Sequence, residues 1–204
     1  MTDPNLVYLV RERSLGQLEK RVESDLKTFD EKYLLRPTPI DGMDLFEHAR
    51  SLTKVSVRRM SHPYLGRTLE TGEIELAEHT FLGMESSDPE FAVTLPHELG
   101  HVSMKHHLHA TGALDQTSGV ILFHRVTIKR RRDPEWQARN YSYMFVMPRL
   151  PTLEIISGTD GDPAVAISRF FRVPLQAAQV RVRQLQIAGG KARNANSDPF
   201  AICE

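Results

Sequence analysis

Leu15, Leu18, Val22, Leu26, Phe29 and Tyr33 recur at spacings of three and four, which places them on one face of a helix. Ser14 with Gln17 three residues later forms a capping-box signature at its start, and Pro37 and Pro39 end it. Asp41 is suited to cap a second helix whose apolar face is Leu45, Phe46, Ala49 and Leu52. Val55 and Val57 then alternate with polar neighbours, as in a half-buried strand, and Ile74 and Leu76 do the same within GEIEL, residues 72–76. Three later helices share one start signal. Asp88-Pro89, Asp133-Pro134 and Asp162-Pro163 each put an N-cap aspartate before a proline suited to the first helical position. The first opens FAVTLPHELGHVSMKHH, the second opens EWQARNYSYMFVM and is stopped by Pro148, and the third opens AVAISRFFRV. A further short helix follows from about Leu175 to Ile187. GVILFHRVTI, between the first two, reads as a strand, and the polar end AGGKARNANSDPFAICE as a tail. No internal repeat is present. Helices with a few short strands define an α+β class.

At 204 residues the chain is long enough to bury a core without covalent staples. Its single cysteine, Cys203, excludes an intramolecular disulfide. Lys plus Arg and Asp plus Glu are both 26, so bulk charge does not mark a nucleic-acid binder. No apolar run approaches 18 residues. MTDPNLVYLVRER has its charges in the wrong order for a signal peptide, so a cytoplasmic location is expected. The neutral total hides asymmetry: Ser61–Gly100 holds eight acidic residues and one basic, whereas Ala164–Ser197 holds six basic and none acidic.

Five of the nine histidines lie between His97 and His109, and two of them belong to His97-Glu98-Leu99-Gly100-His101. On a helix, residues four apart share a face, so both imidazoles of this H-E-x-x-H string can reach one zinc ion, with Glu98 beside the attacking water as general base. Leu95, Leu99 and Val102 give the same helix a separate apolar face. Pro96 poses a local conflict: inside a helix it would cost about 3 kcal/mol, so the helix either starts near it or kinks. His106, His107 and His109 are expected on the same helix, too far along to share the ion. The third ligand is then His124 or, better placed, Glu135 on the next helix, where Ala138 and Ser142 are small enough for close packing against the H-E-x-x-H helix.

FAVTLPHELGHV followed by DPEWQARNYSYMFVMP resembles the ImmA/IrrE (DUF955-type) metallopeptidases, whose pattern is H-E-x-G-H on one helix, E-x-x-A-N-x-F-A on the next, and a terminal L-M-P. The likeness runs from about residue 36 to 187, taking in the opening helix and strand at 36–60 and the closing pair around Phe171-Arg172-Val173-Pro174 and Arg183-Gln184-Leu185. Arg139 stands where the family has asparagine, Tyr141 and Ser142 replace its phenylalanine and alanine, and Pro96 replaces a small residue. The resemblance implies a minimal zincin, gluzincin-like, with a small antiparallel sheet packed on helices. It implies zinc held by His97, His101 and Glu135, and Glu98 as catalytic base. The expected organisation is an N-terminal helical extension (1–35), a metallopeptidase core (36–160), a C-terminal helix pair (161–187) and a tail (188–204).

The expected function is that of a zinc-dependent endopeptidase cutting a helix-turn-helix (Xre-like) repressor or antitoxin in transcription regulation or a stress response. The alternatives are an ImmA-like toxin in a toxin–antitoxin pair, and a DNA- or partner-binding regulator that keeps a zincin-like fold. In the last case the two basic helices after Ala164 would act as a helix-turn-helix, although Ile167, Phe170, Phe171, Val182 and Leu185 read as residues packing back on the core. Tyr141, Tyr143, His106 and His124 are candidates to stabilise an oxyanion. The acidic block Glu70, Glu73, Glu75, Glu78, Glu85, Asp88 and Glu90 would attract a basic polypeptide, which could add as a strand along residues 72–76.

Overall fold

A computed structural model of the chain describes residues 10–61, 63–109 and 130–189. His124, the strand expected over GVILFHRVTI and the tail with Cys203 lie outside the described residues. The fold is mixed α+β, mostly helical, with one three-stranded sheet. No helix among the described residues is long and apolar enough to cross a membrane.

Helix α1 (Leu15–Asp30) opens on the expected capping box. The Ser14 hydroxyl accepts from the Gln17 amide, and the Gln17 side chain accepts from the Ser14 amide. Its stripe, Leu18, Val22 and Leu26, is buried. A break at Glu31 separates it from the single turn α2 (Lys32–Leu35). Helix α3 (Gly42–Leu52) is capped by Asp41, as its sequence predicts, and buries Leu45, Phe46 and Ala49.

Strands β1 (Val55–Arg58), β2 (Gly66–Thr68) and β3 (Ile74–Ala77) form a sheet in the order β1-β3-β2. β3 runs parallel to β1, pairing Val55 with Ile74 and Arg58 with Ala77, and antiparallel to β2, pairing Gly66 with Leu76 and Thr68 with Ile74. The sheet is therefore mixed, not antiparallel as expected. The cause lies in the residues: Ile74, Leu76 and Ala77 are fully buried, so the most apolar strand takes the centre, and the chain reaches it through β2 and a tight turn at Gly72 (φ +80°). Both edges of residues 74–77 are thus occupied by neighbouring strands, which removes GEIEL as a place for an added strand.

Three of the seven carboxylates of the acidic block, Glu73, Glu75 and Glu78, are answered by basic neighbours. Lys54 pairs with Glu73 at 3.1 Å, Arg67 and Arg58 with Glu75 at 2.7 and 3.7 Å, and Arg59 with Glu78 at 3.2 Å.

Helix α4 (Glu78–Glu85) follows the sheet directly. Asp88-Pro89 does not open the next long helix. It caps a single 3-10 turn, Pro89–Phe91, and α5 (Thr94–Ser103) starts three residues later. Helix α5 ends at Met104, Lys105 takes the left-handed conformation (φ 58°), and the four-residue turn α6 (His106–His109) leaves in a new direction. Helices α7 (Pro134–Val146), α8 (Arg149–Ser157), α9 (Pro163–Phe171) and α10 (Leu175–Gly189) complete the fold. Asp133 and Asp162 cap α7 and α9 through the amides of Glu135 and Ala164, as the Asp-Pro pairs predict.

Two apolar clusters result. The larger joins α1, α3, β3 and α5 to one face of α7, with Tyr141, Met144 and Phe145 at its centre. The smaller gathers Val146 and Met147 with Ile167, Phe171, Val173 and Ala178 of the C-terminal pair. Each buried leucine or phenylalanine contributes about 1.5–3 kcal/mol. Ile167, Phe171 and Leu185 do pack back on the core, while Phe170 is 40% exposed. Arg181 of α10 is completely buried. It donates to the Met147 carbonyl and pairs with Glu19 of α1.

Candidate metal centre

His97 and His101 lie one turn apart on α5, and Glu135 lies in the first turn of α7. Pro96 is the third residue of α5, where its missing N–H is one of the four that no helix satisfies. The first intrahelical bond, His97 N to Val93 O at 3.1 Å, begins just after it. The helix therefore needs no kink, and its positive end lies close to His97.

Helices α5 and α7 approach closely because Gly100 presents no side chain. A Cβ there would stand 3.0 Å from the Tyr141 ring and 3.3 Å from the Ala138 Cα. Ala138 is the small residue expected at this crossing, and it is fully buried. The close approach brings three ligating groups together. His97 Nε2 is 3.1 Å from His101 Nε2 and 3.2 Å from Glu135 Oε2, and His101 Nε2 is 3.3 Å from Glu135 Oε1. Among the described residues, these three form a His/His/Glu group able to hold a metal ion. Ligands about 2.0–2.1 Å from a tetrahedral zinc are spaced about 3.3 Å apart, so the donor set and its spacing fit that ion. The His101 side chain is only 12% exposed, whereas Glu135 is 41% exposed, so the centre is closed at its base and open to solvent on the carboxylate side.

The electrostatics suit an ion site. Burial disfavours ionised Glu135, but hydrogen bonds from His101 and His97 outweigh it and hold the carboxyl well below the usual range. Burial likewise lowers the His101 pKa, yet the Glu135 hydrogen bond and charge, helped by Glu98, leave it raised overall. A cation between these groups would replace the proton they share.

Glu98 follows His97 on α5 and reaches strand β2. It is 7% exposed, and its Oε2 accepts from the Thr68 hydroxyl of β2 at 2.7 Å. The same hydroxyl lies 3.2 Å from the Glu98 carbonyl. Gly66 of β2 lies beside the Glu98 side chain, and a Cβ there would crowd Leu76 of β3 at 3.0 Å.

The oxyanion candidates are distributed differently. Tyr141 is buried and donates to Asp25 Oδ2 at 2.7 Å, an acceptor shared with the Ser103 hydroxyl. Burial first, then the Asp25 charge, push its pKa well up. It is a strut between α1 and α7. Tyr143 packs against the smaller cluster. His106 is not on α5, because the turn at Lys105 folds it back behind His101, with the two Nδ1 atoms 3.1 Å apart. Burial, then the neighbouring His101, lower its pKa to about 3, which makes it a neutral imidazole.

Sequence reasoning did not single out Thr68, Gly100, Gln137 or Asp25 as parts of this region. Only Gly100 carried a signal, a helix breaker inside a helix that is otherwise well formed. No protein-family model matches the chain, and no curated protein matches it.

Proposed function

We propose that this chain is a zinc-dependent endopeptidase of gluzincin type, similar to the ImmA/IrrE metallopeptidases, acting on a helix-turn-helix repressor or a related partner. One observation carries the reading: His97, His101 and Glu135 converge from two helices with zinc-like spacing, and Glu98 occupies the same helical turn. Bound zinc would supply Lewis acidity, acidifying water to a pKa of about 7 and polarising a peptide carbonyl. Glu98 takes the proton of the attacking water and passes it to the leaving amine. Thr68 holds the Glu98 carboxylate in one orientation while it does so. Glu135 would neutralise half of the charge of a bound divalent ion, and its exposed side leaves room for a substrate.

The experiment uses the full chain, its zinc content measured, incubated with a panel of helix-turn-helix repressors from the same source. Wild type retains one zinc and cleaves at one or a few sites. Glu98→Gln retains the zinc and loses cleavage by about 10²–10⁴-fold, the usual contribution of a general base. Full cleavage by Glu98→Gln overturns the reading.

A further inference from the structure

His101 reaches the centre through Nε2, and its other ring nitrogen is not left to solvent. His101 Nδ1 meets His106 Nδ1 at 3.1 Å, and His106 Nε2 meets Gln137 Oε1 at 3.0 Å. Gln137 is fully buried, and its orientation is fixed from behind: its amide nitrogen donates to the Arg11 carbonyl at 2.8 Å and to the Arg131 carbonyl at 2.7 Å. Both amide protons are thereby used, so Oε1 can only accept, and the proton between it and His106 belongs to His106 Nε2. A neutral imidazole protonated at Nε2 is an acceptor at Nδ1, so the proton between the two rings belongs to His101 Nδ1. Once the proton shared with Glu135 leaves, the lone pair of His101 is on Nε2, on the side of His97 and Glu135.

We propose that His106, oriented by Gln137, is a positioning residue that sets the tautomer and ring orientation of His101 for metal binding. The inference rests on the metal centre described above and extends it by one layer, from two backbone carbonyls through Gln137 and His106 to the ligand atom. It explains why the chain turns back at Lys105, a lysine in a backbone conformation that favours glycine. The turn delivers an imidazole to a ligand that would otherwise hold either tautomer. Outer partners of this kind are worth about 10–100-fold in metal affinity.

The test is run on the full chain with zinc alone. In zinc-loaded wild type, nitrogen-15 NMR of the histidine rings shows His101 bound through Nε2 with a slowly exchanging proton on Nδ1, a measurement that needs no variant. His106→Leu loses that slow exchange and binds zinc about 10–100-fold more weakly in competition with a chromophoric chelator. His106→Asn, whose side-chain oxygen can stand near the position of Nδ1, regains most of the affinity while staying thermally less stable, because its link to Gln137 is gone. A purely structural His106 would make affinity follow stability in both variants. Coordination of His101 through Nδ1, or a His106→Leu affinity equal to wild type, overturns the proposal alone. Wild type that binds no zinc overturns the metal centre itself.

Discussion

Helices α5 and α7 cross where Gly100 meets Ala138, and helices α9 and α10 bury Ala164, Ala177 and Ala178 in a cluster of their own. Both pairs rely on small residues, and both α7 and α9 start from an Asp-Pro cap. They differ in what fills the inner face. Between α5 and α7 the inner groups are His97, His101 and Glu135, a set able to hold a cation. In the C-terminal pair they are Ile167, Phe171 and Val173, with one buried cation, Arg181, already answered by Glu19. One pair is closed by apolar packing and an internal ion pair, whereas the other gathers two imidazoles and a carboxylate. The polar anchors of α7 show how the carboxylate's helix is held in place. Gln137 ties to α6, Asn140 accepts from Gln184 of α10, and Tyr141 ties to α1, so the helix is pinned on several sides.

Substitutions should separate the two pairs. The largest effect is expected from Glu135→Ala, which removes the charge that completes the ligand set. Zinc affinity should fall by more than about 100-fold, beyond the loss from any outer partner, with little change in the C-terminal pair. Chelator competition measures it, and retention of stoichiometric zinc would contradict the assignment. Arg181→Met acts on the other pair. Breaking a buried ion pair costs about 3–5 kcal/mol, so denaturant unfolding should show a loss of this size while the zinc affinity of the folded fraction stays within twofold. Gly100→Ala sharpens the contrast further. The added methyl must displace Tyr141 or Ala138, costing about 1–3 kcal/mol and weakening zinc. Gly161→Ala, with open space around it, should change neither quantity beyond about 0.5 kcal/mol.

The pH dependence of the metal-free protein tests the same contrast. His101 has a raised pKa, so its contribution is complete below the unfolded value of about 6.5 and is lost as pH rises through the folded value. His106, held to about 3, works the other way: its neutral burial is free of penalty above about 6.5 and costs stability as pH falls below that. Glu135 stabilises above its unfolded pKa and loses this as pH falls through its lowered folded value. Thermal stability of the metal-free chain should therefore peak near pH 6–7. Zinc, which displaces the His101 proton, should bind more tightly as pH rises through that range. The smallest effect concerns the sheet rim. Replacing Glu73, Glu75 and Glu78 with glutamine frees Lys54, Arg58, Arg59 and Arg67. Cleavage of a basic partner should slow a few-fold at low salt and match wild type at high salt.

What could be read in the sequence was local. Ser14 with Gln17, Asp41, Asp133 and Asp162 announce helix starts through side chains that bond their own backbone, and the apolar stripe of α1 needs only its period. The i, i+4 spacing of His97 and His101 is equally local. What escaped depends on the rest of the chain. β2 has three residues and no pattern, and the parallel pairing of β1 with β3 depends on β2 being inserted between them in the chain and folding back on β3. Helix α4 starts at Glu78 with no side-chain cap to announce it, and α8 begins at the proline that was read only as a stop. Asp88-Pro89 gave a 3-10 turn, since the same cap serves any turn whose second amide needs an acceptor. Arg181 reads as surface until Glu19 meets it, and the fold-back of His106 depends on a single lysine with positive φ.

The tie between Glu19 and Arg181 joins residues 162 positions apart, and that between Asp25 and Tyr141 joins residues 116 apart. Closing the longer loop costs roughly 4–5 kcal/mol of chain entropy, with no gain until both ends are present. At about 5–20 residues per second, α1 leaves synthesis roughly 8–30 s before α10 exists to receive it. During that interval Leu18, Val22 and Leu26 have no permanent cover. The capping box at Ser14 favours the helical form of α1 locally, but its apolar stripe is covered only when α7 and then α10 arrive. α1 is thus made early and secured late, by partners near the other end of the described residues.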